Sequence, residues 1–208
     1  MRLVLASNNA RKLSELQALL ADLPVELVAQ SRLGIAEADE PHATFIENAL
    51  AKARHAAAAA DGAAIADDSG LCVDALDGAP GVISAHYAGA VAAQPDREAQ
   101  RRAQDTANNA RLLQALHGVA DRRAHFISTL VAVRRAQDPE PLVAVGRWPG
   151  EILVAPRGGQ GFGYDPLVFI PGLGCTVAEL DAATKNAHSH RARAMAQMKA
   201  LLREVWRL

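Results

Sequence analysis

Asp67 and Asp68 stand in tandem after a short apolar stretch and are followed by Ser69 and Gly70. Alternation along a strand sends neighbouring side chains to opposite sides, so only one of the two carboxylates need face a cleft. Such oxygens suit Mg²⁺, which takes one or two protein carboxylates and fills its shell with phosphate oxygens and water. A solvated turn with a capping Asp accounts for the same four residues. A second source of acids is Glu37-Ala38-Asp39-Glu40, a loop that either swings a carboxylate toward the same ion or lies exposed.

Ser7-Asn8-Asn9-Ala10-Arg11-Lys12 joins an apolar run to a helical pattern. Backbone N–H groups and the positive end of the helix dipole converge there, within reach of Lys12, as in a phosphate cradle. The segment contains no glycine and is not a Walker A loop. A plain capped helix start also explains it. In Gly158-Gly159-Gln160-Gly161-Phe162-Gly163-Tyr164-Asp165-Pro166, glycines let the backbone approach a flat ligand while Phe162 or Tyr164 stacks on it. Asp165 could read a ring N–H, and a simple turn cluster is the alternative. Lys185, Ser189, His190 and Arg191 enter the terminal helix. Cations at a helix start oppose its dipole, so they reach solvent or face a bound anion.

The elements that must position these groups are legible in outline. Arg2 to Ala6 reads as a strand, and Leu13, Leu16, Leu19, Leu20 and Leu23 follow at helical spacing. Pro24 to Ala29 is a second strand, and Thr44 caps an Ala-rich helix to Ala60, with Glu47 completing a capping box. Ala63 to Ala66 and Leu71 to Val73 read as strand pieces on either side of a turn at Gly70, which puts the acidic pair at a strand end. Gly78 to Gly89 is loop, Asp96 to His117 a polar surface helix, and Ala124 to Arg134 and Leu142 to Val154 alternate as half-buried antiparallel strands. Trp148-Pro149-Gly150 suggests a bend, and His190 to Trp206 a terminal helix. Without a regular βαβ rhythm, an α/β fold with a mixed sheet covered by helices is expected rather than a doubly wound parallel one.

Bulk properties narrow the function classes. The 208 residues suffice for a full core in one domain. With 22 basic and 23 acidic residues the chain has no net field for nucleic acid or an anionic membrane, so any phosphate site is local. Aromatics at 4% exclude a stacking platform for several bases but not a pocket for one. Cys72 and Cys175 lack zinc-site or framework spacing, and no apolar run spans a bilayer. A cytoplasmic protein that binds neither nucleic acid nor membrane is expected.

Together these segments resemble the inosine triphosphate pyrophosphatase family over nearly the whole chain. Ser7-x-Asn9-x-x-Lys12, Thr44-Phe45-x-Glu47-Asn48-Ala49, Ala66-Asp67-Asp68-Ser69-Gly70-Leu71, Gly78-x-Pro80-Gly81, Gly161-Phe162-Gly163-Tyr164-Asp165-Pro166 and Ser189-His190-Arg191 occur in the family's order. The resemblance implies an elongated, two-lobed mixed sheet flanked by helices, one domain over residues 1–208 with the active-site cleft between its lobes, and a homodimer. It implies Mg²⁺-dependent hydrolysis of ITP, dITP and XTP to the monophosphate and pyrophosphate. Ser7, Asn8, Asn9, Ala10, Arg11 and Lys12 resemble the triphosphate loop, Glu40 and Asp68 the Mg²⁺ ligands, and Ser69 a phosphate contact. Asp68 resembles the proton acceptor, with Lys12 stabilising the leaving pyrophosphate and Asp67 in support. Phe162, Gly163, Tyr164 and Asp165 resemble the base pocket, Lys185 a further substrate contact, and His190 and Arg191 the segment that closes over the base. His188 stands where the family more often has an apolar residue.

Two rivals are weighed against this reading. A Maf-type nucleotide pyrophosphatase carries Ser-x-Ser-Pro-Arg-Arg in its N-terminal loop, which Asn8-Asn9-Ala10-Arg11-Lys12 does not match. A catalytically silent nucleotide-binding regulator would have no use for Asp67, Asp68 and Lys12 together.

Overall fold

In the computed structural model, which describes residues 1–208, the first apolar run forms strand β1 (Arg2–Leu5). Asn9 then caps helix α1 (Ala10–Leu19), its side chain accepting from the Arg11 and Lys12 N–H groups. Strand β2 (Glu26–Ala29) returns parallel to β1, with Leu27 opposite Leu3. Helix α2 (Phe45–Ala60) starts at Thr44. The Thr44 hydroxyl accepts from the Glu47 N–H at 3.3 Å and donates to the Glu47 carboxylate at 2.6 Å, so the expected box closes through the hydroxyl itself. Strand β3 (Ala64–Val73), helix α3 (Arg97–Ala115), and strands β4 (Arg123–Val133) and β5 (Leu142–Ile152) follow. The short strands β6 (Val168–Ile170) and β7 (Cys175–Thr176) and helices α4 (Ala182–His188) and α5 (His190–Val205) complete the chain.

All strands join one seven-stranded sheet in the order β2-β1-β3-β4-β5-β6-β7. β1 runs parallel to both β2 and β3, whereas β6 is antiparallel to β5 and β7, so the sheet is mixed. The chain divides into two compact units. The first comprises Met1–Ser69, Ser128–Arg147 and His188–Leu208, and the second Gly70–Ile127 and Trp148–Ala187.

In the first unit strand parity decides everything that follows. Leu3, Leu5, Ile65, Leu130 and Ala132 pack with Leu16 of α1 and Ala194, Met195 and Met198 of α5. Val4, Ala6, Ala64, Ala66, Val131 and Val133 pack instead with Ala49, Ala53, Ala56 and Ala57 of α2. Both faces of these strands are therefore covered, which is why they read as continuous apolar runs. In the second unit Leu71, Val73, Phe126, Trp148, Ile152 and Leu167 gather with Leu112 and Leu116 around α3.

Several sequence expectations are corrected. β3 is one unbroken strand through Asp67-Asp68-Ser69-Gly70, with no turn at Gly70. The acidic pair sits in mid-strand because groups inside the fold, not water, meet the two acids: four donors saturate Asp67, and Lys52 takes one oxygen of Asp68. β4 does not alternate: from Phe126 onward it is buried on both faces, as its place between β3 and β5 requires. Trp148-Pro149-Gly150 makes no bend, since Pro149 lies on the exposed side of a continuous β5. A Cβ on Gly150 would come within 2.6 Å of the Phe169 carbonyl oxygen, so glycine there serves close pairing with β6. Lys185 lies in α4, separate from the terminal helix.

β5 and α5 approach closely at Gly146, where a Cβ would fall on the backbone carbonyl oxygen of His190 and the amide nitrogen of Ala194. Backbone cannot move aside without displacing the helix. Gly146→Ala is expected to cost at least about 2 kcal/mol of unfolding free energy. Gly159→Ala, with open space around it, should be near neutral in the same denaturant titration.

Candidate active site

The parity of β3 separates its two acids. Asp67 shares the side of Ile65 and points toward α1 and α5, whereas Asp68 shares the side of Ala64 and Ala66 and points toward α2. Asp67 is saturated. Its Oδ1 accepts from the Ser128 hydroxyl at 2.7 Å, and its Oδ2 from Lys12 Nζ at 2.9 Å and from Arg191 Nε and the Ser69 hydroxyl at 3.2 Å each. Burial penalises its charge, but Lys12, Arg191 and the Ser128 hydrogen bond outweigh that and hold its pKa well below the usual value of 3.8.

Asp68 is different. Its Oδ1 accepts from Lys52 Nζ at 2.8 Å, while its Oδ2 is buried with no hydrogen-bond partner. Burial raises its pKa, Lys52 offsets part of the rise, and the negative charge of Glu40 adds to it. Lys52 also donates to the Asp67 carbonyl oxygen at 3.2 Å and lies 3.3 Å from Glu40 Oε1. Despite its burial, Asp68 and Glu40 keep its pKa raised. Burial lowers that of Lys12, against the pull of Asp67.

Of the acidic loop, Glu40 is the residue brought to Lys52 and Asp68, and Glu37 and Asp39 are exposed. Asn48 of α2 fixes that loop: its amide accepts from the His42 N–H at 3.0 Å and donates to the His42 carbonyl at 3.1 Å. Sequence reasoning passed over Lys52. The available signal was a lysine at helical spacing among Asn48, Ala49, Ala53 and Ala56 on an otherwise apolar face.

At the N-terminal loop the Ser7 hydroxyl accepts from the Asn9 N–H, and Asn9 takes the Arg11 and Lys12 N–H groups, so the protein itself uses much of the expected cradle. Asn8 Oδ1 is buried without a partner, and Ala10 is exposed. The Lys12 side chain, 17% exposed, is the cation of the cluster most open to a phosphate. Arg191 is buried and does not reach solvent, the first of the two sequence alternatives. Its guanidinium donates to Asp67, to Glu15 at 2.9 Å and to the Ser69 hydroxyl at 2.9 Å. His190 is buried at the start of α5, and His188 is exposed.

In the second unit the Gly-rich loop holds Phe162 beneath an ammonium: Lys185 Nζ sits 4.7 Å from the ring centroid and donates to Asp165 Oδ2 at 2.9 Å. The same oxygen accepts from the Phe162 N–H at 2.9 Å. Gly163 is held by Asp105, which takes its N–H at 2.9 Å, and by Asn109, which donates to its carbonyl at 3.0 Å. Tyr164 belongs to the core, its hydroxyl donating to the Ser84 carbonyl, and its ring is not open to a ligand as Phe162 is in part.

Asp67→Asn leaves Lys12 and Arg191 buried beside a neutral amide and is expected to cost about 3–5 kcal/mol. Asp68→Asn removes a charge that burial already disfavours, while Glu40 and the Asp67 carbonyl still hold Lys52, so about 1 kcal/mol or less is expected. Because the folded pKa of Asp67 is depressed, its contribution is present above the ordinary carboxylate range and lost as pH falls below it. Denaturant titrations at neutral and acid pH check both the ordering and the narrowing of the Asp67→Asn deficit.

Residues 3–201 match the model of the Ham1 family. The dITP/XTP pyrophosphatases of Methylibium petroleiphilum and Leptothrix cholodnii are similar to it at 69% identity over 99% of both chains and 68% over the full length of both. Among solved structures, a HAM1 protein from Coxiella burnetii, 42% identical, superposes with a TM-score of 0.88 over 99% of this chain and 100% of its own. A model match across almost the whole sequence, together with relatives this similar end to end, makes the chain a member of the Ham1 family.

Proposed function

We propose that this protein hydrolyses the 6-oxo purine nucleotides dITP, XTP and ITP between the α- and β-phosphates, releasing the monophosphate and pyrophosphate. Full-length relatives named for dITP and XTP support the substrate class. The observation that carries the chemistry is Asp68: one oxygen is fixed by Lys52, the other is buried and unengaged. A carboxylate so held can orient a water and take its proton. Asp67, saturated by four donors, serves to hold Lys12 and Arg191.

The donor set fits Mg²⁺. Asp68 Oδ2 is an orphaned hard oxygen, and Glu40 stands on the same lysine with its side chain 45% exposed. Two carboxylates suffice when phosphate oxygens and water complete the shell. Bound there, the ion would lower the pKa of the attacking water and neutralise charge on the phosphates. Lys12 would bind the phosphates, Ser69 would contact them, and Phe162 would stack on the base with Asp165 and Lys185 at its edge. His190 and Arg191 enter this reading through their place at the start of α5, where Arg191 ties Ser69 to Asp67. Homodimerisation and a cytoplasmic location rest on the resemblance and the composition.

Incubation with Mg²⁺ and a nucleotide panel is expected to release pyrophosphate from ITP, dITP and XTP in one step, with ATP strongly disfavoured. Binding without release would indicate a silent regulator, and orthophosphate with a diphosphate intermediate would place cleavage at the wrong bond. Folded Asp68→Asn should lose at least about a hundredfold in turnover, the scale of a positioned acid–base group. Near-normal turnover in that variant would remove Asp68 from the chemistry. Solution scattering should give twice the mass of one chain.

A further inference from the structure

Helix α3 reads from sequence as a polar surface helix, yet three of its polar side chains turn inward and grip loops. Asn108, 3% exposed, donates to the Ser84 and Ala85 carbonyls and accepts from the Ala88 N–H. Asp105 and Asn109, one helical turn apart on one face, take the N–H and the carbonyl of Gly163. Drawing polar groups off a helix surface toward the interior is unfavourable unless they are bonded there. That cost has a counterpart in what is held. Gly158, Gly161 and Gly163 all have positive φ, at +80°, +77° and +63°. Such a loop has much backbone freedom to lose, so its shape must be imposed from outside.

We infer that Asp105 and Asn109 are positioning residues that set the discrimination between purine bases, acting through Gly163. This rests on the reading of Phe162 to Asp165 as the base site. The Phe162 N–H is fixed by Asp165 from within the loop, and the next peptide group along is fixed by α3. The loop is thus tied on one side to Lys185 through Asp165 and on the other to α3. Hypoxanthine and adenine differ in which ring-edge atoms donate and which accept. Rejecting the wrong pattern depends on hydrogen-bonding groups held within about half an ångström, whereas the attraction of a cation for a phosphate falls off only slowly with distance. Loosening the grip should therefore erode base choice before it erodes phosphate affinity.

The test uses the full chain carrying Asp105→Ala, Asn109→Ala or the conservative Asp105→Asn. Turnover and equilibrium binding of ITP and ATP are measured alongside inhibition by inorganic tripolyphosphate and exchange of the Gly163 amide. Asp105→Ala is expected to lower the ITP/ATP ratio about tenfold, the loss of one charge-assisted hydrogen bond, with tripolyphosphate inhibition within about twofold of wild type. Its Gly163 amide should exchange faster. Asp105→Asn keeps an acceptor and should retain most of the ratio, and Asn109→Ala covers the case in which Asp105→Ala fails to fold. An unchanged ratio in folded Asp105→Ala or Asn109→Ala overturns the inference. So does a parallel loss for ITP, ATP and tripolyphosphate, which would mark a structural role only. Wild-type protein that releases no pyrophosphate from ITP would instead sink the proposed function, leaving the inference to be judged by the binding ratio and the amide exchange.

Discussion

The structure of the first unit turns on one buried carboxylate. Asp67 lies in the middle of a sheet covered on both faces, where an unpaired charge would be intolerable, and four donors from α1, α5, β3 and β4 converge on it. Lys12 and Arg191 are the two charged partners among the four. The same contacts bring Lys12 and Ser69 to one place, so the interaction that holds the helices to the sheet also assembles the candidate phosphate site. Arg191 strengthens the join by reaching Glu15 of α1 from α5.

One residue further on, the same chemical group does a different job. Strand alternation turns Asp68 to the α2 side, where a single lysine meets one of its oxygens and burial dominates its protonation. Two adjacent aspartates thus have their pKa values driven in opposite directions by unlike surroundings, cations and a hydroxyl around one and burial around the other. Neither is interchangeable with the other.

In each unit, loops are shaped by helices acting through side-chain amides and carboxylates. Asn48 pairs with both backbone groups of His42, Asn108 spans Ser84 to Ala88, and Asp105 and Asn109 together take both backbone groups of Gly163. Each side chain does for an irregular segment what a neighbouring strand does in a ladder. Functional loops gain definition this way without losing the irregular backbone that lets them approach a ligand.

Local physics made much of this legible in the sequence. Leucine spacing marked α1, Thr44 with Glu47 marked the start of α2, and tandem acids after an apolar run offered hard oxygens of the kind that suit a divalent cation. The order of the motifs also pointed to the family that the full-length relatives bear out. What the sequence could not decide was who neutralises whom. An aspartate pair in mid-strand and a turn-capping pair have the same local pattern, and only the arrival of Lys12, Lys52, Arg191 and Ser128 makes the strand possible. Lys52 was invisible because a lone lysine in a helix is usually solvated, and Arg191, though singled out, gave no sign of its partners Asp67 and Glu15, which lie 124 and 176 residues away. The inward turn of Asp105 and Asn109 likewise depends on a loop more than fifty residues distant. Hydrogen bonds and charge pairing act through space, so residue type and local spacing determined the elements and the chemistry on offer, while the packed fold alone decided which groups were spent on structure and which were left to react.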